Sequence, residues 1–129
     1  MDLAEVFTQL PAGTTKIGRW QSNEITTAGK ELTLDLTKAI KDEGDYEITF
    51  TYQSGGQRLE IEWVALTVNG KEIMRDTHEA WAGDPVKNNT YQLKPGAMVF
   101  NGTYAIRAKV KTAGGNDSNG VITLRKRSP

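Results

Sequence analysis

Residues 74–85 of this chain, MRDTHEAWAGDP, gather its only histidine, His78, with Asp76, Trp81 and Asp84. Three chemistries use such a set: an acid–base pair, a metal site and a loop that stacks on a sugar. Asp76 and His78 are two residues apart, so on an extended chain they point to one face. Acyl transfer needs a serine to complete the pair, yet Ser22, Ser54, Ser118 and Ser128 lie in no nucleophile-elbow motif. Transition-metal sites need three or four ligands with outer-shell support, and beyond Asp76 and His78 there is no second histidine and no cysteine to complete one. Calcium accepts carboxylate and carbonyl oxygens from turns. Its candidates are Asp42, Glu43 and Asp45 in one turn and Asn116 and Asp117 in another, none at the spacing of a helical-hand loop. As solvated turn residues they need no ion.

Glu60 and Glu62 would stand ~7 Å apart by strand rise, within the range that glycoside hydrolysis uses. Two acids at that spacing also describe any wet sheet face, and nothing marks a cleft around them. The glycines of QSGGQR (53–58) precede a strand and not a helix, so they form no phosphate cradle. The chain is therefore expected not to be an enzyme and to need no cofactor, with structural calcium the one ion left open.

Binding remains. Sugar C–H faces pack on indole rings while planar polar groups take the hydroxyls. Of the three tryptophans, Trp20 is expected in the core, Trp63 is left open between core and surface, and Trp81 is expected partly exposed in a proline-bounded stretch. The candidate ligand-binding set is Trp81 as the stacking plane with Asp76, His78, Arg58 and Asp84 around it.

These side chains need elements to hold them. A chain of 129 residues buries roughly two-thirds of its unfolded surface as one domain, enough for a core without disulfides. Sixteen basic and sixteen acidic residues cancel, so no net field favours nucleic acid or an anionic membrane. The basic tail LRKRSP (124–129) reads as a solvated terminus or a join to another domain. No apolar run approaches the ~20 residues of a membrane span, and no leader pattern opens the chain.

The dominant periodicity is two. In residues 46–53, Tyr46, Ile48, Phe50 and Tyr52 alternate with polar residues; Leu32, Leu34 and Leu36 do the same, as do Tyr104, Ile106, Ala108 and Val110. In RLEIEWVALTV the phase slips: Leu59 and Ile61 share one parity, while Val64, Leu66 and Val68 take the other. Such a slip marks a β-bulge or a strand crossing between sheets, and Trp63 sits on it. Asn69-Gly70 then signals a type I′ hairpin. Residues 35–44 have room for one helical turn with Thr37 as cap and Gly44 as stop, and residues 4–10 for a short turn or a strand. The expected fold is all-β, a two-sheet β-sandwich of the jelly-roll kind, with about eight or nine strands in one domain, 1–129.

The order of motifs resembles a known class. G-x-Y-x-h-x-F-x-Y (44–52), G-x-R-L-x-I (56–61), h-x-L-x-V-N-G (64–70), D-x-H (76–78), Y-x-L (91–93), G-x-Y-x-h-x-A (102–108) and D-S-x-G-x-h-x-L (117–124), with h apolar, are similar to galactose-binding-domain-like β-sandwich modules. Such modules accompany secreted hexosaminidase-, fucosidase- and sulfatase-like catalytic domains, and the resemblance runs over residues 20–124. It implies a non-catalytic carbohydrate-binding module, bacterial and extracytoplasmic, whose partners are a glycan and a catalytic domain of the same polypeptide. The alternative is a structural module that packs on that domain without binding glycan. Similar modules often carry glycine directly after D-x-H, whereas here Glu79, Ala80 and Trp81 precede Gly83. The segment is then either a sugar-contact loop at one rim of the sandwich or a latch that bonds to the D-S-x-G loop, residues 117–120.

Overall fold

The computed structural model describes residues 13–127. They form β1 (Thr14–Trp20), β2 (Lys30–Asp35), β3 (Tyr46–Ser54), β4 (Leu59–Val68), β5 (Lys71–Asp76), β6 (Ala80–Ala82), β7 (Asn88–Leu93), β8 (Tyr104–Thr112) and β9 (Asn119–Lys126). The turn or strand expected over residues 4–10 lies outside the described residues. One antiparallel sheet runs β1-β9-β3-β7; the other runs β2-β8-β4-β5, with β6 continuing the β5 edge against β4. Apart from the β4-β5-β6 run, each connection passes from one sheet to the other. That is the wrapped course of a jelly roll.

Alternation produces this. In β8, Tyr104, Ile106, Ala108, Val110 and Thr112 are all buried while the residues between them are half-buried. In β3, Tyr46, Ile48 and Phe50 do the same from the opposite sheet. Each large apolar side chain so enclosed stabilises by roughly 1.5–3 kcal/mol. Across the four-stranded sheet the aromatics form a row: Trp20 lies 6.2 Å from Phe50, which meets Tyr91 edge-on at 5.9 Å. Gly120 makes room for that row, because a Cβ there would sit 2.2 Å from the Trp20 ring and 2.4 Å from the Thr51 carbonyl. Trp20 is 1% exposed, and its Nε1 donates to Ser118 Oγ at 2.9 Å.

The phase slip in β4 is a bulge. Ile61 pairs with Val110 and Trp63 with Lys109, so Glu62 is the extra residue, and Val64 resumes the inward parity opposite Ala108. The Asn69-Gly70 hairpin has the positive φ angles of 53° and 83° that a type I′ turn requires. In residues 35–44 there is a single turn, with the Ala39 and Ile40 amides donating to the Leu36 carbonyl. Its cap is Asp35, not Thr37. The Asp35 carboxylate accepts the Thr37 amide (3.0 Å) and hydroxyl (2.7 Å), and these bonds hold its carboxyl below the usual range. The Thr37 hydroxyl instead receives the Tyr104 amide.

Residues 124–126 of the basic tail are the end of β9. Arg125 and Arg127 flank Glu47 at 2.8 and 3.8 Å, and Lys126 approaches Asp42 at 3.8 Å.

Candidate functional site

The outward face of the five-stranded sheet holds most of the chemistry. Trp81 on β6 stands opposite Glu60 on β4, which stands opposite Lys111 on β8. These three therefore form one cross-strand row of outward side chains. Arg58, just ahead of β4, lays its guanidinium 4.8 Å from the Trp81 ring centroid and donates from Nε (3.2 Å) and Nη2 (3.0 Å) to Glu60. Lys111 reaches the other oxygen of Glu60 at 4.0 Å. Gly83 packs beneath Arg58: a Cβ at that position would be 2.5 Å from the Arg58 Cβ. The Asn89 side chain donates to the Trp81 carbonyl and fixes the short strand. Asp84 is exposed on the loop that follows. Trp81 itself is half-buried, so part of the indole meets solvent.

Asp76 and His78 are elsewhere. Asp76 pairs with inward-facing Val64, about 10 Å along the sheet from the Trp81 row by register and on the opposite face. The pair lies at the seam where β5 and β6 meet β7. Asp76 Oδ1 accepts the His78 amide (3.1 Å) and lies 2.6 Å from its Nδ1. Burial works to raise the Asp76 carboxyl, and the bonds from His78 outweigh it, leaving the group below its usual range. The His78 ring stacks on Tyr91 at 4.1 Å, and the Tyr91 hydroxyl donates to the His78 carbonyl at 3.1 Å. Burial pushes that phenol well above its ordinary value. This is a bracket around the three-residue break between β5 and β6. The rim placement expected for the whole of residues 74–85 thus holds only for its second half, because the break comes midway along a sheet edge.

The latch to the D-S-x-G loop does not form. Asp117 accepts the Ser22 hydroxyl (2.6 Å) and the Gly56 amide (3.0 Å), bonds that keep its carboxyl below the usual range. Its carbonyl accepts the Gln57 amide. The loop therefore clamps two neighbours, beside the segment that leads into Arg58, and the Asp117 carboxylate considered for calcium is engaged in that clamp. Among the described residues no three His, Asp or Glu side chains converge as metal ligands.

A second aromatic escaped assignment from sequence. Trp63, swung outward by the bulge, lies under the Arg75 guanidinium at 3.8 Å with Arg107 at 5.9 Å. Arg75 and Arg107 both donate to Glu72, at 2.7 and 2.8 Å. Arg75 first, then Arg107, holds the Glu72 carboxyl below the usual range. The parity slip in the sequence located the bulge; which way it turned the indole could not be read there.

The fold and this face define a two-sheet jelly-roll sandwich with an arginine–tryptophan–glutamate surface. No family model matches the chain, and no curated protein is similar to it.

Proposed function

We propose that this domain is a non-catalytic carbohydrate-binding module that holds a polysaccharide-degrading enzyme near its substrate, in an extracytoplasmic setting. The observation that supports this best is the Trp81 row: a partly exposed indole braced by Arg58, with Glu60 and Lys111 alongside. A flat apolar plane bordered by fixed donors and acceptors suits a pyranose, which offers a C–H face and hydroxyls. One shallow contact binds weakly because it must offset lost ligand freedom. Tethering to an enzyme makes such affinity useful by raising effective concentration.

Glycan arrays followed by titration calorimetry test it. Trp81→Ala should weaken binding at least about tenfold, ~1.4 kcal/mol, and Arg58→Ala less. Asp76→Ala should leave affinity unchanged, since Asp76 faces the other way. No bound glycan, or an unaltered Trp81→Ala isotherm, counts against the assignment.

A second reading, a module that packs on a catalytic domain without binding glycan, draws on the opposite end of the sandwich. Phe100 is 91% exposed and Val99 44% there, beside a depression lined by Ile40, Met98 and Tyr104. Exposed apolar groups in a patch mark protein contacts more often than isolated ones do. Phe100→Ser would then weaken association with the catalytic domain and leave glycan binding intact.

A further inference from the structure

We infer that the ligand is a neutral oligosaccharide chain spread over two indoles, Trp81 and Trp63, and not a single sugar unit; this rests on the carbohydrate reading above.

Register carries the inference. Trp81 stands opposite Glu60 and hence level with Lys111, while Trp63 stands opposite Lys109. Two residues along the sheet and one strand across it put the two Cα atoms about 8 Å apart on one outward face. The bulge is the cause, because regular alternation through Glu62 would give Trp63 the inward parity of Leu59 and Ile61. Beyond Trp63 the face stays low. Ala65, which pairs with Arg75 on one side and Arg107 on the other, is the floor there, and it is fully covered.

Both rings are held in advance. Arg58 braces Trp81 and Arg75 braces Trp63, and each arginine is fixed in turn by a glutamate, Glu60 or Glu72. Little side-chain freedom is left to lose on binding, which favours a surface that works without closing. A guanidinium stacked on an indole is itself a flat plane with donors at its rim, so the Trp63 end presents the same chemistry as the Trp81 end.

Charge selects the class of chain. Arg58 is paired to Glu60 at 3.0 Å, and Arg75 and Arg107 share Glu72 at 2.7 and 2.8 Å, so each guanidinium is already engaged by a carboxylate and none stands free as the first partner of a polyanion. Donors and acceptors alternate along the row, as hydroxyls, which do both, require.

Calorimetry with neutral cello-, xylo-, chito- and galacto-oligosaccharides from one to six units tests the inference. One series should gain at least about tenfold in affinity between the monosaccharide and the trisaccharide and then level off. Trp63→Ala should remove that gain and keep the monosaccharide affinity, whereas Trp81→Ala loses both. If the alanine variant melts early, Trp63→Met, which keeps apolar volume without a ring, replaces it. A monosaccharide bound as tightly as its oligomers, or a gain that survives Trp63 substitution, overturns the extended site while leaving the Trp81 reading in place. Stronger binding of the matching uronic-acid oligomers overturns the neutral class. Absence of binding by any series overturns both readings together.

Discussion

Single residues in this domain divide sharply into those that the core cannot lose and those that the surface holds for use. Trp20 is enclosed by Phe50 and lies across Gly120, with its one polar atom bonded to Ser118. Trp20→Ala should cost about 3–5 kcal/mol, the range for removing a buried aromatic. Ser118→Ala leaves the indole N–H buried without a partner and should cost about 1–3 kcal/mol. Urea denaturation monitored by fluorescence would measure both, and near-equal midpoints for Ser118→Ala and the parent would contradict the hydrogen bond. The two outward tryptophans obey different physics. Trp81 and Trp63 are stacked on arginines, contacts worth about 0.5–1 kcal/mol at exposed sites, so Trp81→Ala should lower stability far less than Trp20→Ala does.

At the scale of elements, β4 decides most. Its pairing with β8 changes parity at one place, and the extra residue there is Glu62. Deleting Glu62 would join Ile61 directly to Trp63 and turn the bulge into unbroken alternation, with Leu59, Ile61, Val64, Leu66 and Val68 inward and Trp63 outward. That deletion should therefore keep a cooperative transition, and Glu62→Ala, which keeps the extra residue, should stay within about 0.5 kcal/mol of the parent. Thermal melts of the two variants separate a backbone role from a side-chain role. The β4-β5 hairpin gives a cleaner case: a Cβ on Gly70 meets nothing within 4 Å, but φ is 83°. Gly70→Ala should therefore cost on the order of 1–2 kcal/mol from backbone conformation alone.

Among the described residues the fold closes by pairing its first strand with its last. β9 lies between β1 and β3, so the four-stranded sheet cannot form until the last strand is in place. It also carries the carboxylates that tie acid stability to the fold. Glu47, held by Arg125 and Gln92 against the opposing effect of burial, and likewise Asp76, have carboxyls below their unfolded values. The unfolded chain then binds more protons over the interval between the two values, and the stability these groups contribute is present above about pH 4 and lost as pH falls through the folded values. Unfolding midpoints should stay level from pH 7 to about 5 and drop below 4. Asp76→Asn should narrow that drop; an identical acid profile in the variant would argue against the His78 bracket.

How much of this was legible without the structure follows from the range of each interaction. Alternation in β3 and β8, the Asn69-Gly70 turn and the slip at Trp63 are local facts, because a strand's side chains flip at each residue and only certain residues adopt positive φ. From them the two-sheet sandwich could be read, along with the burial of Trp20. In residues 35–44 the turn was legible but not its bounds: Asp35 caps it, because Asp35 and Thr37 both have side chains that bond a nearby amide, and it ends at Ile40, ahead of Gly44. The site was a different matter. Asp76, His78 and Trp81 are neighbours in the chain, yet the edge of the sheet turned the first two toward Tyr91 and the third outward beside Arg58. Partnership across strands depends on register, which brings Arg75 and Arg107 from distant segments onto one glutamate. The sequence by itself determined which residues face inward; only the tertiary structure decided which outward residues meet, because their contacts are made across strands and not along them.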